Sequence, residues 1–258
     1  MKGFKTGCLV LAMILCGCAA EPSREDASIL ETLKNAYKYQ RTNTEGAYQT
    51  VTTNKDRTYT ECRQIWSKEE NTYEFYEYDA LDPAGNRFAS LMVRHKDDGL
   101  NMQLVDTING YVNEGYTWQP MEYTITDPFT QSLNDVLEFN EDHEVTGLDP
   151  DFRYERDGNT IRISLKDSKA YSDRLLEEHD TFVNDVIRIN VTKADRTYTF
   201  DHYDHIVSYR SVRDESMLEV NGEYGRGSNE IAVTKMSGLL SEDEQEQIEA
   251  LAKEVLEQ

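Results

Sequence analysis

Asp201-His202-Tyr203-Asp204-His205 is the densest run of metal-ligand side chains in the chain. Three of its four acid and imidazole groups would hold a zinc ion if they converged. On a strand, however, His202 and His205 point to opposite faces. The run reads instead as a hairpin tip between Tyr198–Phe200 and Ile206-Val207, and no metal is expected. Glu141-Asp142-His143-Glu144 and Asp149-Pro150-Asp151 offer oxygen ligands of the kind calcium takes. They lack the EF-hand order and its glycine, so they read as a solvated loop between residues 140 and 151. Gly225-Arg226-Gly227-Ser228 lacks the Gly-x-Ser-x-Gly frame of a nucleophile elbow and reads as a turn. A glycosidase pair cannot be picked among 49 acids, because its defining separation is a property of space. No catalytic motif stands out; neither an enzymatic activity nor a cofactor is expected.

Cys18 is the residue with a definite chemistry. A short basic start, Met1-Lys2-Gly3-Phe4-Lys5, precedes an apolar run from Cys8 to Leu15, then Cys16-Gly17-Cys18 and a polar stretch from Glu21 to Asp26. A basic segment, an apolar segment and small residues mark a cleaved secretory signal, and this apolar run is too short for a membrane span. Leu15-Cys16-Gly17-Cys18 resembles the lipobox of bacterial lipoproteins. Cys18 has the better upstream context of the two nearby cysteines, with Leu15 three positions before it and Gly17 just before it. The resemblance implies that the Cys18 thiol takes a diacylglyceryl group and becomes the first mature residue. Two acyl chains hold a protein stably where one holds it marginally. Residues 1–17 are then the signal, 18–27 the lipidated cysteine and its tether, and 28–258 a single domain. The expected location is the outer face of a bacterial membrane.

Charge narrows the partners. The chain's 27 basic and 49 acidic residues give −22, and loss of Lys2 and Lys5 takes this to −24. Such a surface repels nucleic acid and anionic headgroups, so membrane contact is expected through the lipid alone. Cys8 and Cys16 leave with the signal and Cys18 carries lipid, so Cys62 is left alone and no internal disulfide can form. Cys62 reads as a small strand residue.

The elements follow from periodicity. Ser28 and Glu31 have capping-box spacing, and Ile29, Leu33, Ala36 and Tyr37 share one helical face, ending near 42–46. The period then falls to two. Residues 47–53, 58–66, 72–80, 87–95, 100–106 and 111–118 read as six strands of an antiparallel meander, parted by turn-formers such as Asn109-Gly110. Asp127-Pro128 opens a second helix with Leu133, Val136 and Leu137 inward. Residues 153–156 and 160–165 pair around Asp157-Gly158, and residues 168–179 form a third helix. Strands resume at 182–192, 196–200, 206–212, 217–224 and 230–236. Ser241 and Glu244 cap a last helix with Ile248, Leu251, Ala252, Val255 and Leu256 on one side. The fold class is α+β: a long curved antiparallel sheet, a half-barrel, packed on a few helices, with helices at both ends.

Some strands are apolar on both sides. Phe88 and Met92 oppose Ala89, Leu91 and Val93, and Tyr73 and Phe75 oppose Tyr76 and Tyr78. A sheet of that kind needs cover on both faces. Trp66, Tyr76, Phe88, Met92, Met102, Tyr116 and Trp118 are the candidates to line an apolar cleft beneath such cover. The order of elements over residues 28–236 resembles the LolA/LolB-like lipoprotein carriers, whose architecture RseB-like and LppX-like proteins share. That resemblance implies a curved sheet wrapped on helices, with a cleft that takes acyl chains or partner segments. The leading expectation is an anchored lipoprotein that binds a lipid or other apolar ligand. The rival expectation is an envelope or regulatory interaction protein whose cleft is filled by its own side chains.

Overall fold

Alternation of apolar and polar residues builds most of this chain into one sheet. The computed structural model describes residues 24–55, 57–69, 71–78, 88–95, 100–107, 119–120, 127–180, 186–219 and 222–256. The signal segment, Cys18 and the strand expected at 111–118 lie outside the described residues.

The chain runs α1 (Arg24–Thr42), β1 (Gly46–Asn54), β2 (Thr58–Lys68), β3 (Asn71–Tyr78), β4 (Phe88–His95), β5 (Leu100–Thr107) and β6 (Gln119–Pro120). There follow α2 (Pro128–Asn134), β7 (Leu137–Phe139), β8 (Val145–Leu148), β9 (Phe152–Asp157), β10 (Thr160–Leu165) and α3 (Ser168–Asp180). The long strands β11 (Val186–Phe200), β12 (Ile206–Glu219) and β13 (Tyr224–Met236) lead to α4 (Glu242–Leu256). Eleven strands form one sheet in the order β6-β5-β4-β3-β2-β1-β13-β12-β11-β10-β9. Each wing is a meander, and the antiparallel pairing of β1 with β13 joins the two. The fold is therefore α+β, a long antiparallel sheet packed on helices.

Local chemistry sets the helix ends. The Asp127 carboxylate accepts from the N–H groups of Phe129 at 2.9 Å and Thr130 at 3.1 Å, with Pro128 at the first helical position. Asp167 caps α3 through Lys169 and Ala170. Ser241 and Glu244 form the capping box of α4, with the Ser241 N–H 2.8 Å from the Glu244 carboxylate. The first helix begins earlier than the Ser28–Glu31 spacing implied, at Arg24. Glu25 and Asp26 occupy its first turn, where the helix dipole favours negative charge. Residues 24–27 are thus helix rather than tether. Leu137 is buried as expected, but on β7 rather than on the second helix.

The distal strands also run longer than the pattern suggested. Residues 193–195 and 213–216, expected as breaks, are paired within β11 and β12. A register shift between Val191 and Lys193 explains the misreading. Ile189 and Val191 point inward on odd positions; after the bulge Ala194, Arg196, Tyr198 and Phe200 point inward on even ones. Gly225-Arg226-Gly227-Ser228 is likewise not a turn: it is strand β13, paired with Met217–Asp214. The expected acidic loop contains β8, which pairs back on β7 as a small hairpin.

The two faces of the sheet are covered at different places. On one face Ile29, Leu33, Phe129, Leu133 and Tyr171 from α1, α2 and α3 pack on Tyr48, Ile65, Ile161, Val191, Tyr198 and Val233. On the other face Ile248 and Ala252 of α4 pack on Trp66, Tyr73, Phe75, Leu91 and Val93 of β2–β4. Burying an aliphatic side chain of this size contributes about 1.5–3 kcal/mol. Beyond α4 this second face carries polar residues such as Arg210 and Glu230, paired at 2.7 Å across β12 and β13. Among the described residues no helix is long and apolar enough to cross a membrane.

Candidate functional site

The expected cleft residues divide between the two faces. Trp66 lies under α4, stacked on Tyr73 with ring centroids 5.1 Å apart. Its indole N–H donates to the Glu249 carboxylate of α4 at 2.9 Å. Its strand neighbour two positions back, Gln64, accepts the N–H groups of Leu239 and Leu240 at 2.8 and 2.7 Å. These bonds tie the start of α4 to the sheet. Tyr76 lies on the opposite face, where its hydroxyl donates to Glu74 at 2.7 Å. Trp66 and Tyr76 therefore cannot line one cleft. Phe88, Met92 and Met102 lie on β4 and β5, but their side chains, like Tyr116 and Trp118 entirely, are outside the described residues. Cys62 is half-buried on β2 and in no disulfide among the described residues.

A buried polar group occupies the face around Tyr76. The Arg63 guanidinium is ion-paired with the Glu74 carboxylate, which has no exposed surface. Arg63 also lies over the Tyr76 ring, 5.3 Å from its centroid. Burial pushes Glu61 up, the Arg63 charge opposes that, and Glu74 adds to it. Burial likewise holds the Tyr48 hydroxyl far above the ordinary phenol range, with Asp127 adding to it. Gly46 makes room for that hydroxyl, since a Cβ there would stand 2.9 Å from it. Sequence reading missed this group, because Arg63 and Glu74 meet only through the β2–β3 register.

The clusters singled out in the sequence are occupied internally. Asp201 accepts the N–H groups of Tyr203 at 2.8 Å and His205 at 3.0 Å, closing the hairpin tip. The His205 ring stacks on Tyr39 of α1 at 3.5 Å, and Arg156 reaches Asp204 at 3.5 Å. Asp149 and Asp151 are held by Arg174 at 3.1 and 2.7 Å. The Asn140 side chain accepts from Asp142 and Glu144 N–H groups, so this acidic turn is organised by its own backbone. Among the described residues no three His, Cys, Asp or Glu side chains converge as a metal site.

Three concavities among the described residues are open and lined mainly by polar and charged residues. One of about 680 Å³ lies between α1 and the β7–β8 hairpin, lined by Lys34, Lys38, Arg41, Tyr37, His143 and Val145 among others. A second, of about 390 Å³, flanks α4 between Phe75, Glu77, Leu240 and Gln247. A third, of about 410 Å³, lies on the β11–β13 ribbon around Asn190, Asp214 and Arg226. The Lys34, Lys38 and Arg41 row was legible in the sequence as an i, i+4, i+7 pattern, but the apolar stripe of the same helix drew the reading instead.

No protein-family model matches the chain, and no curated protein matches it. Among solved structures it is similar to a conserved protein of unknown function with a hot dog fold from Alicyclobacillus acidocaldarius. Identity is 10% over 76% of this chain and 80% of that one, with a TM-score of 0.14. It is also similar to an N-terminal dehydratase from the difficidin assembly line, at 7% identity over 90% of this chain and 89% of that one, with a TM-score of 0.16. At these scores neither likeness carries a fold or an activity over to this chain.

Proposed function

We propose that the chain is a lipid-anchored extracytoplasmic protein of the bacterial envelope that binds a protein partner, and that it is not an enzyme. The observation that carries this reading is that, among the described residues, the apolar stretches on both faces of the sheet are covered by the chain's own helices. α1, α2 and α3 cover one face, and α4 covers the strands that are apolar on the other. The open concavities around Asn190 and beside α1 are lined mainly by polar and charged residues, which suits a macromolecular surface better than an acyl chain. The anchor rests on the lipobox-like Leu15-Cys16-Gly17-Cys18. Fractionation of a bacterial host tests it: the native chain is expected with the membranes, and Cys18→Ala is expected to lose its lipid label. A Cys18→Ala chain that still takes up labelled fatty acid would overturn the assignment.

The second reading is a lipid or other apolar ligand held between sheet and helices, as in the LolA/LolB-like carriers. Its support is the apolar composition of β4 and β5, with Phe88, Met92 and Met102. A stoichiometric acyl adduct on the purified protein would select it.

A further inference from the structure

The exposed side of α1 carries a row of cations, Lys34, Lys38 and Arg41, on one helical face. All three line the cleft of about 680 Å³ against the β7–β8 hairpin. None of them makes an ion pair within the described residues; the Arg41 guanidinium lies over the Tyr37 ring at 5.6 Å. Elsewhere on the surface Arg162 is matched with Asp157 and Arg210 with Glu230, and what distinguishes this row is that its three cations adjoin on one helical face. With 49 acids to 27 bases in the chain, three adjoining unmatched cations are conspicuous. Glu31 and Glu144 also line the cleft, leaving the cations in excess by one.

We propose that this cleft docks an extended acidic segment of a protein partner, with carboxylates at alternate positions. The proposal rests on the interaction reading above and adds the partner's chemistry. Between Lys34 and Lys38 the helix rises about 6 Å. Alternate side chains of an extended strand stand about 6.7 Å apart, so two successive carboxylates meet Lys34 and Lys38, with the longer Arg41 side chain about one turn further along. Tyr37 and Val145, both half-buried, provide apolar contact between them. The net charge of the chain opposes an acidic partner at long range. Beyond a Debye length of about 8 Å that repulsion is screened, while the cations in contact are not. A membrane is the other anionic surface at hand. A flat sheet of headgroups reaches the rim of a cleft between a helix and a hairpin, whereas an extended peptide enters it.

The test uses the full chain in micelles of a neutral detergent and a fluorescent peptide with Glu at alternate positions around a central Leu. A peptide with Lys in place of Glu is the control. The triple variant Lys34→Gln/Lys38→Gln/Arg41→Gln changes exposed side chains only, and circular dichroism checks its fold. Three exposed ion pairs of ordinary strength amount to about a tenfold change in affinity. The expected results are binding of the Glu peptide alone, weakened about tenfold in the triple variant and similarly by high salt. Equal affinity in the triple variant overturns the proposal, as does no binding to the native chain. Binding to phosphatidylglycerol vesicles without binding to the peptide also overturns it, in favour of a membrane contact. None of these results bears on whether an acyl adduct is present, which tests the parent reading separately.

Discussion

Arg63 and Glu74 form an ion pair across β2 and β3 with the carboxylate wholly buried and the guanidinium nearly so. The Tyr76 hydroxyl donates to the same carboxylate. An ion pair removed from water tolerates loss of both charges better than loss of one. Arg63→Met or Glu74→Met alone is therefore expected to destabilise by about 3–5 kcal/mol. The double variant is expected to recover most of that. Denaturant unfolding of all four proteins checks this; additive losses would show that the two side chains do not act as a pair.

Trp66 reports on α4. Ile248 is buried against the strand cluster, and Glu249 receives the Trp66 indole N–H. In a Trp118→Phe background Trp66 is the sole tryptophan, since the chain has two. Ile248→Ala is expected to cost about 2–5 kcal/mol and to shift Trp66 emission to longer wavelength as α4 loosens. Unchanged emission would contradict a helix seated on this strand face.

Asp127 combines a cap with a buried charge. Burial raises its carboxyl above the ordinary 3.8, against the lowering effect of bonds from Thr130 and Phe129. The native state then holds its proton to higher pH than the unfolded state does. This group's contribution to stability falls as pH rises from 3.8 through the folded value, the reverse of a salt-bridged acid. Asp127→Asn keeps an acceptor for the two N–H groups and removes the charge. It is expected to be at least as stable as the native chain at pH 7 and to lose this pH dependence. Asp127→Ala is expected to lose about 0.5–2 kcal/mol. Melting temperatures between pH 3 and 7 distinguish the two.

Much of the architecture was legible because it is written in local pattern. Asp127-Pro128, the Ser241–Glu244 box and the succession of strand-formers and turn-formers over β1 to β5 each have a short-range cause. What escaped has a long-range cause or breaks a period. The bulge after Val191 inverts the inward parity of β11 and so looked like a gap between two strands. Ser28 and Glu31 have the right spacing for a cap, but the chain is already helical at Arg24. Of the aromatic set, Trp66 packs under α4 whereas Tyr76 bonds Glu74 on the other face. Trp66 and Tyr76 lie on neighbouring strands but face opposite ways, a relation fixed by register rather than composition. The last helix could be recognised from its stripe, whereas its seat over β2–β4 needed the fold.

A chain that binds a protein partner rather than a lipid fills the space between its sheet and helices with its own side chains. Native mass spectrometry of the protein from Ala19 onward, made in a bacterial host without its anchor, measures this directly. The bare polypeptide mass is expected, with no change in signal when a fluorescent fatty acid is added. A stoichiometric adduct that organic solvent removes, and that proves to be a lipid, would contradict it.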